Sequence, residues 1–387
     1  MDIEAARQRV RQEVDRLAPR LWEVAQAIHA RPELLYEERY AAGLLAGELG
    51  VETGAYGVET AFELRVDDGY GPCVAILCEY DALPGIGHGC GHNLIAAAGL
   101  GAGLAAAAVV REAGGRLRVL GTPAEEGGGG KIRLIDAGAF EGVDAAMMVH
   151  PAGLDLSEPD VIAIATWRVE YQGVGAHAAA FPERGRNALD AAVLGYNAVA
   201  ALRQHIAHDE RIHGVFLKAG EKPNIVPDHT VAEWYVRSPT LDSLQTLKER
   251  VLACLAGGAA AAGCEMAVTP TAPEYSQLHT SAPLIERYRR NSESLGRPVA
   301  TPDHHRKVTC STDMGNVSLV VPSIHPLVAV SPPEVALHTA GFAAWAASPE
   351  GETGMRDGAT ALALTAVDVW LEPGTAEEIR AAFASEP

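Results

Sequence analysis

The stretch CVAILCEYDALPGIGHGCGHN, residues 73–93, decides the fold class because it joins an apolar segment to a turn rich in reactive side chains. Residues 73–77 form a short apolar run, which is typical of a strand buried on both faces. The glycine-rich turn leads directly into residues 94–110, an apolar stretch built mostly of alanine and glycine. A strand, a polar turn and a buried helix in this order predict an α/β domain with a largely parallel sheet.

Two more strand-like segments run into polar turns of the same kind. RLRVLG (116–121) continues into GTPAEEGGGGK (121–131), and AAMMVH (145–150) ends in a histidine that precedes a proline. The carboxyl ends of parallel strands meet at one edge of a sheet, where α/β proteins bind ligands. We therefore expect the segments 78–93, 121–131 and 147–151 to converge on one crevice, although they are far apart in the chain.

The pattern changes near residue 163, where a second unit of secondary structure begins. The alternation of apolar residues predicts strands at 167–177, 213–219, 230–237 and 264–270, with helices at 189–202 and 241–262. This βαββαβ order indicates a small α+β domain. We assign residues 165–274 to this inserted domain, and residues 1–164 and 275–387 to the domain that carries the reactive segments.

Composition and charge exclude several classes of partner. Thirty-one basic and fifty acidic residues give a net charge of −19, which argues against nucleic acid and anionic membranes. The six cysteines form no CxxC pair, and the charged first residues lack an apolar signal core, so we expect reduced thiols in the cytoplasm. GLGAGL (99–104) looks like a dinucleotide fingerprint, but it lies inside a helical run and does not follow a strand. Helix packing is the better interpretation.

Cys90 and His92 flank a glycine, so both side chains can face one ion. A set of thiolate, imidazole and carboxylate suits zinc, manganese or cobalt better than calcium or magnesium. Taken alone, the pair also fits a buried cysteine and an ordinary loop histidine. His150 read singly fits a core histidine, and His338 fits a helix cap.

Glu125 and Glu126 lie between a strand end and four glycines. Adjacent side chains in an extended segment point to opposite sides, so one carboxylate can bind a metal while the other accepts a proton from water. The alternative is an acidic surface loop. The two residues by themselves do not show which carboxylate takes which role.

The motifs together resemble the aminoacylase and carboxypeptidase family of dinuclear metallopeptidases over nearly the whole chain. The resemblance rests on DALPGIGHGCGHN, TPAEEGGGGK, the His-Pro at 150–151 and STDMGNVS (311–318). GHGCGHN and STDMGN are most similar to the branch that contains p-aminobenzoyl-glutamate hydrolase and a dipeptidase for β-alanyl-lysine-type substrates. The resemblance implies a catalytic domain with an inserted lid and dimerisation domain. It also implies two divalent ions, either zinc or manganese, with cobalt also compatible. It further implies hydrolysis of an amide bond in a dipeptide or an N-acyl amino acid.

The same resemblance implies a role for each matching side chain of the catalytic domain. Glu125 matches the general base, and Asp81 matches a carboxylate that orients the ligands. Glu79 stands where distant relatives have a metal-binding histidine, and we do not count it as a ligand. The positions that match metal ligands, with Cys90 bridging the two ions, are Cys90, His92, Glu126, His150 and His338.

Three residues of the inserted domain match positions that contact substrate in the family. His177 matches a histidine that reaches the substrate carbonyl, typically from the other subunit of a homodimer. Asn224 and Arg237 match positions that commonly hold the substrate carboxylate. The resemblance therefore implies a small-molecule amide or dipeptide as the partner of the site, and a homodimer formed through the inserted domain.

Two other functions remain open at this point. Hydrolytic deamination of a small aromatic amine would use the same attack by water with a different leaving group. A non-catalytic metal-binding dimer derived from such an enzyme would keep the ligands. The intact Glu125 argues against the second, because a structural metal site needs no base beside its ligands.

Overall fold

The computed structural model describes residues 1–67, 69–303 and 308–385. The chain divides into two compact units, Met1–Asp160 with Leu278–Pro387, and Val161–Gln277. The boundaries expected from the sequence, 165 and 274, lie slightly inside those of the second unit.

The elements alternate between helix and strand along most of the chain. The helices are α1 (Ile3–His29), α2 (Arg39–Leu49), α3 (His92–Ala107), α4 (Val110–Ala113), α5 (Gly130–Asp136), α6 (Ala188–Leu202), α7 (Leu241–Ala262), α8 (Ala282–Glu293), α9 (Met314–Ser318), α10 (Ala340–Trp345), α11 (Pro349–Leu371) and α12 (Thr375–Ala384). The strands are β1 (Phe62–Val66), β2 (Cys73–Cys78), β3 (Arg116–Gly121), β4 (Ala145–Met147), β5 (His150–Ala152), β6 (Asp160–Val161), β7 (Ala163–Gln172), β8 (Arg211–Lys218), β9 (His229–Ser238), β10 (Glu265–Pro270), β11 (Thr309–Cys310), β12 (Ser323–Ile324) and β13 (Leu327–Ala329).

The first unit is built on a five-stranded sheet in the order β1-β3-β2-β4-β12. Strands β3, β2, β4 and β12 run parallel, and β1 is antiparallel to β3. Every residue of β2 is buried, as expected for a central parallel strand with both faces covered. The prediction of an α/β domain with a largely parallel sheet is confirmed.

The glycine run of α3 allows close packing of this helix on the sheet and on α1. A Cβ added at Gly99 would lie 2.6 Å from the carbonyl oxygen of Leu77, and one at Gly103 would lie 2.5 Å from Val119 Cγ2. The helix also packs against α1 and α11 and is buried on nearly all sides. The glycines at 99–104 therefore serve helix packing.

The prediction of one strand at 145–150 is wrong in its detail. Strand β4 stays in the central sheet because it pairs with β2 and β12, whereas β5 pairs with β13. The backbone N–H of His150 donates to the carbonyl of Pro326 at 2.9 Å, in register with this second pairing. His150 consequently begins a new strand just beyond the edge of the central sheet instead of ending β4.

The second unit has the predicted βαββαβ order, formed by β7, α6, β8, β9, α7 and β10. Its antiparallel sheet has the order β10-β7-β9-β8, with α6 and α7 packed together against it. Strand β7 ends at Gln172, earlier than the predicted residue 177. His177 lies outside the sheet, where it forms an isolated bridge with Ile225.

Two further observations concern the cysteines and the longest apolar helices. All six cysteines lie within the described ranges, and none of them forms a disulfide. Within the described ranges, we find no helix with the length and apolar character that a membrane span needs.

Candidate metal centre

The carboxyl edge of the parallel sheet collects the reactive side chains of the first unit. Cys90 lies in the loop after β2, and His92 is the first residue of α3. Glu125 and Glu126 lie in the loop between β3 and α5, and His150 opens β5. The three segments that were expected to meet at this edge do so.

Two groups of side chains place their ligand atoms within 4.8 Å of one another, Cys90 with His92 and His150, and Cys90 with Glu126 and His338. The Sγ atom of Cys90 lies 3.4 Å from Nε2 of His150, and Nε2 of His338 lies 3.6 Å from Oε1 of Glu126. All five predicted ligands are therefore brought together, and both groups share Cys90. Each of the two groups could hold one cation.

The hydrogen bonds of His92 and His150 leave Nε2 of each ring available to a cation. His92 Nδ1 lies 3.1 Å from Asp81 Oδ1, and His150 Nδ1 lies 2.8 Å from the carbonyl oxygen of Pro151. A proton on each Nδ1 leaves the lone pair of Nε2 facing the cluster, as is usual for metal-binding histidines.

Several further properties of the cluster fit a bound cation. Nε2 of His92 and Oε1 of Glu126 are buried without a hydrogen-bond partner. Burial lowers the pKa of His150 to about 3, so this imidazole is neutral near pH 7. Burial also raises the pKa of the Cys90 thiol well above its usual value, and a metal would compensate the cost of forming the thiolate. The residues present therefore fit a pair of divalent metal ions.

Glu125 lies beside these two groups and belongs to neither of them. Its side chain is nearly buried, with one carboxylate oxygen 3.9 Å from His92 Nε2. Burial, together with the neighbouring carboxylates of Glu79 and Glu126, raises the pKa of Glu125 well above the ordinary value of a carboxyl group. A carboxyl group with a raised pKa next to a cation site can exchange protons near neutral pH.

A buried ion-pair cluster lies behind Glu125. Lys131 Nζ is 2.6 Å from Asp313 Oδ1 and 3.0 Å from Glu79 Oε1, and all three side chains are fully buried. Burial lowers the pKa of Lys131, but the two carboxylates outweigh this effect and raise it. Glu79 also belongs to a third possible cation group with His92 and Glu125. Because the Lys131 ammonium already compensates its charge, we keep Glu79 outside the ligand set.

The second unit brings two of its three predicted substrate residues together. Nδ1 of the exposed His177 accepts hydrogen bonds from the N–H groups of Ala179 and Ala180 at 3.3 and 3.2 Å. The carbonyl of Asn224 accepts from the N–H of Ala178 at 3.1 Å, so His177 and Asn224 lie on neighbouring loops.

Arg237 lies at the other end of the same sheet. It pairs with Ile164 near the start of β7, whereas the loops of His177 and Asn224 follow the end of β7 and precede the start of β9. The eight residue steps from His229 to Arg237 along β9 correspond to roughly 25 Å of extended strand. Within one chain, the structure therefore separates Arg237 from the other two residues.

Comparisons with known proteins identify the family. Residues 75–341 match the model of peptidase family M20/M25/M40. The chain belongs to peptidase family M20. It is 38% identical to the Xaa-Arg dipeptidase of Mus musculus, covering 99% of this chain and 93% of that protein. It is 34% identical to one component of the p-aminobenzoyl-glutamate hydrolase of Escherichia coli, covering 62% of this chain and 55% of that component.

A solved structure agrees with the fold of this M20 chain. A dinuclear metal-binding peptidase of the M20 family from Bacillus subtilis superposes with a TM-score of 0.69 at 19% identity, covering 92% of this chain and 99% of that one. The resemblance stated from the motifs is confirmed. The M20 chain is a metal-dependent hydrolase that acts on amide C–N bonds.

Sequence reasoning missed several side chains that shape the M20 site. Lys131 and Asp313 stand inside quoted motifs, but nothing in those motifs shows that the two pair. The ring of His325, which is buried, stacks on His150 with a centroid distance of 5.4 Å. Buried Glu38 supports the loop that carries Glu125. Neither Glu38 nor His325 carries a local signal, because a single glutamate or histidine outside a motif is uninformative.

Proposed function

We propose that the chain is a dinuclear dipeptidase that releases a C-terminal amino acid with a free carboxylate, with a preference for basic residues. The observation that carries the proposal is the pair of ligand groups sharing Cys90, with Glu125 beside them. The similarity to an Xaa-Arg dipeptidase over nearly the whole chain supports this substrate class. The net charge of −19 also favours cationic over anionic substrates at long range.

Cys90, His92 and His150 would hold one ion, and Cys90, Glu126 and His338 the other. The mixed sulfur, nitrogen and oxygen donors support zinc or manganese, with cobalt as a functional substitute. When bound, such ions polarise the amide carbonyl and lower the pKa of the attacking water.

The side chains of the protein would carry the proton transfers. Glu125 accepts a proton from the attacking water and then donates it to the leaving amine nitrogen. For this shuttle a raised pKa is useful, because the carboxyl group must both accept and release the proton near neutral pH. Asp81 holds His92 through Nδ1 and accepts a hydrogen bond from the backbone N–H of Glu126 at 3.0 Å. It therefore orients two of the proposed ligands.

His177 would stabilise the oxyanion that forms on the carbonyl oxygen. Because its Nδ1 accepts two backbone hydrogen bonds, the neutral ring carries its proton on Nε2. A donor aimed at the developing charge lowers the barrier more than it strengthens ground-state binding.

We also propose a homodimer in which each active site takes residues from both protomers. The separation of Arg237 from His177 and Asn224 supports it, since roughly 25 Å of strand is too long for the three side chains of one chain to contact the same dipeptide. The edge strand β8 offers an interface, because Val215, Phe216 and Leu217 are 59%, 38% and 52% exposed. Unpaired edges of this kind favour strand pairing between copies. In this dimer, Arg237 serves the site of its own chain, and His177 and Asn224 serve the site of the partner.

Mixing two inactive variants should restore activity if the sites are shared. A mixed dimer of Glu125→Gln and His177→Ala chains contains one site with both residues intact. After exchange of protomers at equal amounts, half of the dimers are mixed, so we expect about a quarter of wild-type activity. The measurement is the hydrolysis rate before and after exchange, with the dimer verified by size-exclusion chromatography.

The matched control is a mixture of Glu125→Gln and Arg237→Ala chains. Since Glu125 and Arg237 would serve the site of the same chain, no mixed dimer regains an intact site. The activity should not exceed that of Arg237→Ala alone. Equal recovery in both mixtures, or no recovery in the first, would contradict the shared site.

Arg237→Ala is expected to raise KM for dipeptides with a free carboxylate by about 10- to 100-fold, because a charge-assisted hydrogen bond is lost. Arg237→Lys should have a KM between those of the wild type and Arg237→Ala, since lysine keeps the charge but not the bidentate geometry. A C-terminally amidated dipeptide should be a poor substrate whose KM the substitution barely changes. An equal rise in KM for both substrates would exclude carboxylate recognition.

A substrate panel tests the proposed function directly. The purified protein, loaded separately with zinc, manganese or cobalt, is assayed with Xaa-Arg and Xaa-Lys dipeptides, β-alanyl-lysine, p-aminobenzoyl-glutamate and N-acetyl amino acids. We expect release of free amino acid, fastest with the basic dipeptides. Release of ammonia in place of amino acid would favour a deaminase, and no turnover of any amide would refute the proposal.

We further propose a cytoplasmic location for the enzyme. The absence of disulfides among the described cysteines supports it, because a reducing compartment keeps the Cys90 thiol available for metal binding.

A further inference from the structure

The loop that carries Glu125 has a strained backbone at the preceding residue. Ala124 has φ 60°, in the left-handed region that residues other than glycine rarely adopt. A second residue with φ 60°, Tyr36, lies next to it in space. The backbone N–H groups of both residues donate to the same carboxylate oxygen, Oε1 of Glu38, at 2.9 Å each.

Glu38 is fully buried and its other oxygen is also satisfied. Oε2 accepts a hydrogen bond from Thr60 Oγ1 at 3.1 Å. Burial raises the pKa of Glu38 to about 7, so keeping a carboxylate here is costly. The three hydrogen bonds offset this cost, and two of them hold left-handed residues in place. Strain that the surroundings maintain in this way is typical of functional sites.

A second buried carboxylate, that of Asp81, holds the backbone at Glu125 and Glu126. Asp81 Oδ2 accepts the hydrogen bond of the Glu126 N–H at 3.0 Å. The carboxylates of Glu38 and Asp81 therefore accept hydrogen bonds from the residues immediately before and after Glu125, Ala124 and Glu126. Tyr36 also stabilises this loop, because its hydroxyl donates a hydrogen bond to the carbonyl of Gly128 at 2.7 Å.

We propose that Glu38 is a positioning residue, which holds Ala124 in the left-handed conformation and thereby aims the carboxylate of Glu125 at the metal cluster. The proposal rests on the proposed function of Glu125 as the base. Because Asp81 keeps its hydrogen bond to the backbone N–H of Glu126, we expect the loss of Glu38 to change the orientation of Glu125 with little effect on the ligand Glu126. The expected signature is a defect in kcat with little change in metal binding or KM.

Glu38→Leu tests the proposal by removing the acceptor. We expect kcat to fall about 100-fold, as for a misplaced catalytic group, with KM within about twofold and two metal ions still bound per chain. Glu38→Gln keeps one oxygen that can accept both N–H groups, and its kcat should stay close to that of the wild type. A Glu38→Gln variant as slow as Glu38→Leu would overturn the proposal.

The decisive variant is Glu38→Leu combined with Ala124→Gly. Glycine adopts positive φ without strain, so the double variant should have a kcat at least about tenfold higher than that of Glu38→Leu. A role in general stability would not produce this rescue. If the double variant is as slow as Glu38→Leu, or if Glu38→Leu is as fast as the wild type, the proposal fails.

Glu33→Leu provides a matched control in the same segment. The Glu33 carboxylate also accepts backbone N–H groups, those of Tyr40 and Ala41 at the start of α2, but it makes no hydrogen bond to residues 121–131. Its loss should weaken α2 and lower the melting temperature, with kcat near the wild-type value. Ala124→Gly should bring no gain in this background, and an equal gain there would count against a specific role of Glu38.

A structural measurement separates this proposal from the proposed function. If the wild type cleaves no amide, the dipeptidase proposal fails whatever Glu38 does. Crystal structures of the wild type and of Glu38→Leu then decide the positioning role. The positioning role is supported if, in Glu38→Leu, Ala124 no longer has a positive φ and the Glu125 side chain has moved. It is refuted if the loop is unchanged.

Discussion

Glu125→Gln is expected to lower kcat by about 10³- to 10⁴-fold, because the amide keeps the shape of the side chain but can no longer accept a proton from water. KM should change little, since Glu125 does not hold the substrate in the proposed mechanism. Metal content should remain at two ions per chain, because Glu125 belongs to neither group that shares Cys90. The measurements are steady-state kinetics on the best dipeptide and elemental analysis of the purified variant.

The neighbouring residue supplies the control. Glu126→Gln removes a proposed ligand, so it should lower both activity and the number of bound ions. The contrast between two adjacent glutamates tests their assignment better than either variant alone. If the kcat of Glu125→Gln lies within tenfold of the wild-type value, or if this variant has lost an ion, the assignment of Glu125 as the base and Glu126 as a ligand is wrong.

Cys90→Ser is expected to weaken both cation sites at once, because both ligand groups contain Cys90. A serine hydroxyl is far less acidic than a thiol and a poorer ligand for zinc. Changes around metal ligands already cost about 10- to 100-fold in affinity, and loss of a shared ligand should cost at least as much at each site. We expect fewer than two ions per chain and a large loss of activity, measured by zinc titration of the metal-free protein.

Cys254→Ser is the matched control for this substitution. Cys254 is partly buried on α7 of the second unit and takes no part in either ligand group. This variant should bind two ions with wild-type affinity and keep its activity. A Cys90→Ser protein that binds both ions as tightly as the wild type would contradict a bridging thiolate.

Local periodicity explains why so much of the fold could be predicted from the sequence. The helix expected at 241–262 is α7 with the same bounds, and the strand expected at 116–121 is β3. In both segments the apolar residues recur with the period of the element, so neighbours in sequence are enough to define it. The strand expected at 145–150 was wrong because its end depends on a partner, β13, that follows more than 170 residues later.

The candidate site divides in the same way. The glycine-rich turns after β2 and β3 pointed to Cys90, His92 and the two glutamates, since motifs and strand ends are local features. The hydrogen bond from the N–H of Ala124 to the carboxylate of Glu38 joins residues 86 positions apart. No property of either residue predicts this contact, because it arises only when the chain has folded.

The sequence alone determined the chemical character of this protein. The donors that stand after the strands, a thiol, imidazoles and carboxylates, indicate a metal site, and the periodic segments set the α/β and βαββαβ units. The tertiary structure decided which atoms face each other. It made Cys90 the member common to two groups, turned Nε2 of His92 and His150 toward the cluster, and placed Arg237 at the far end of the sheet from His177. These features depend on contacts between distant residues, and packing, not local pattern, sets such contacts.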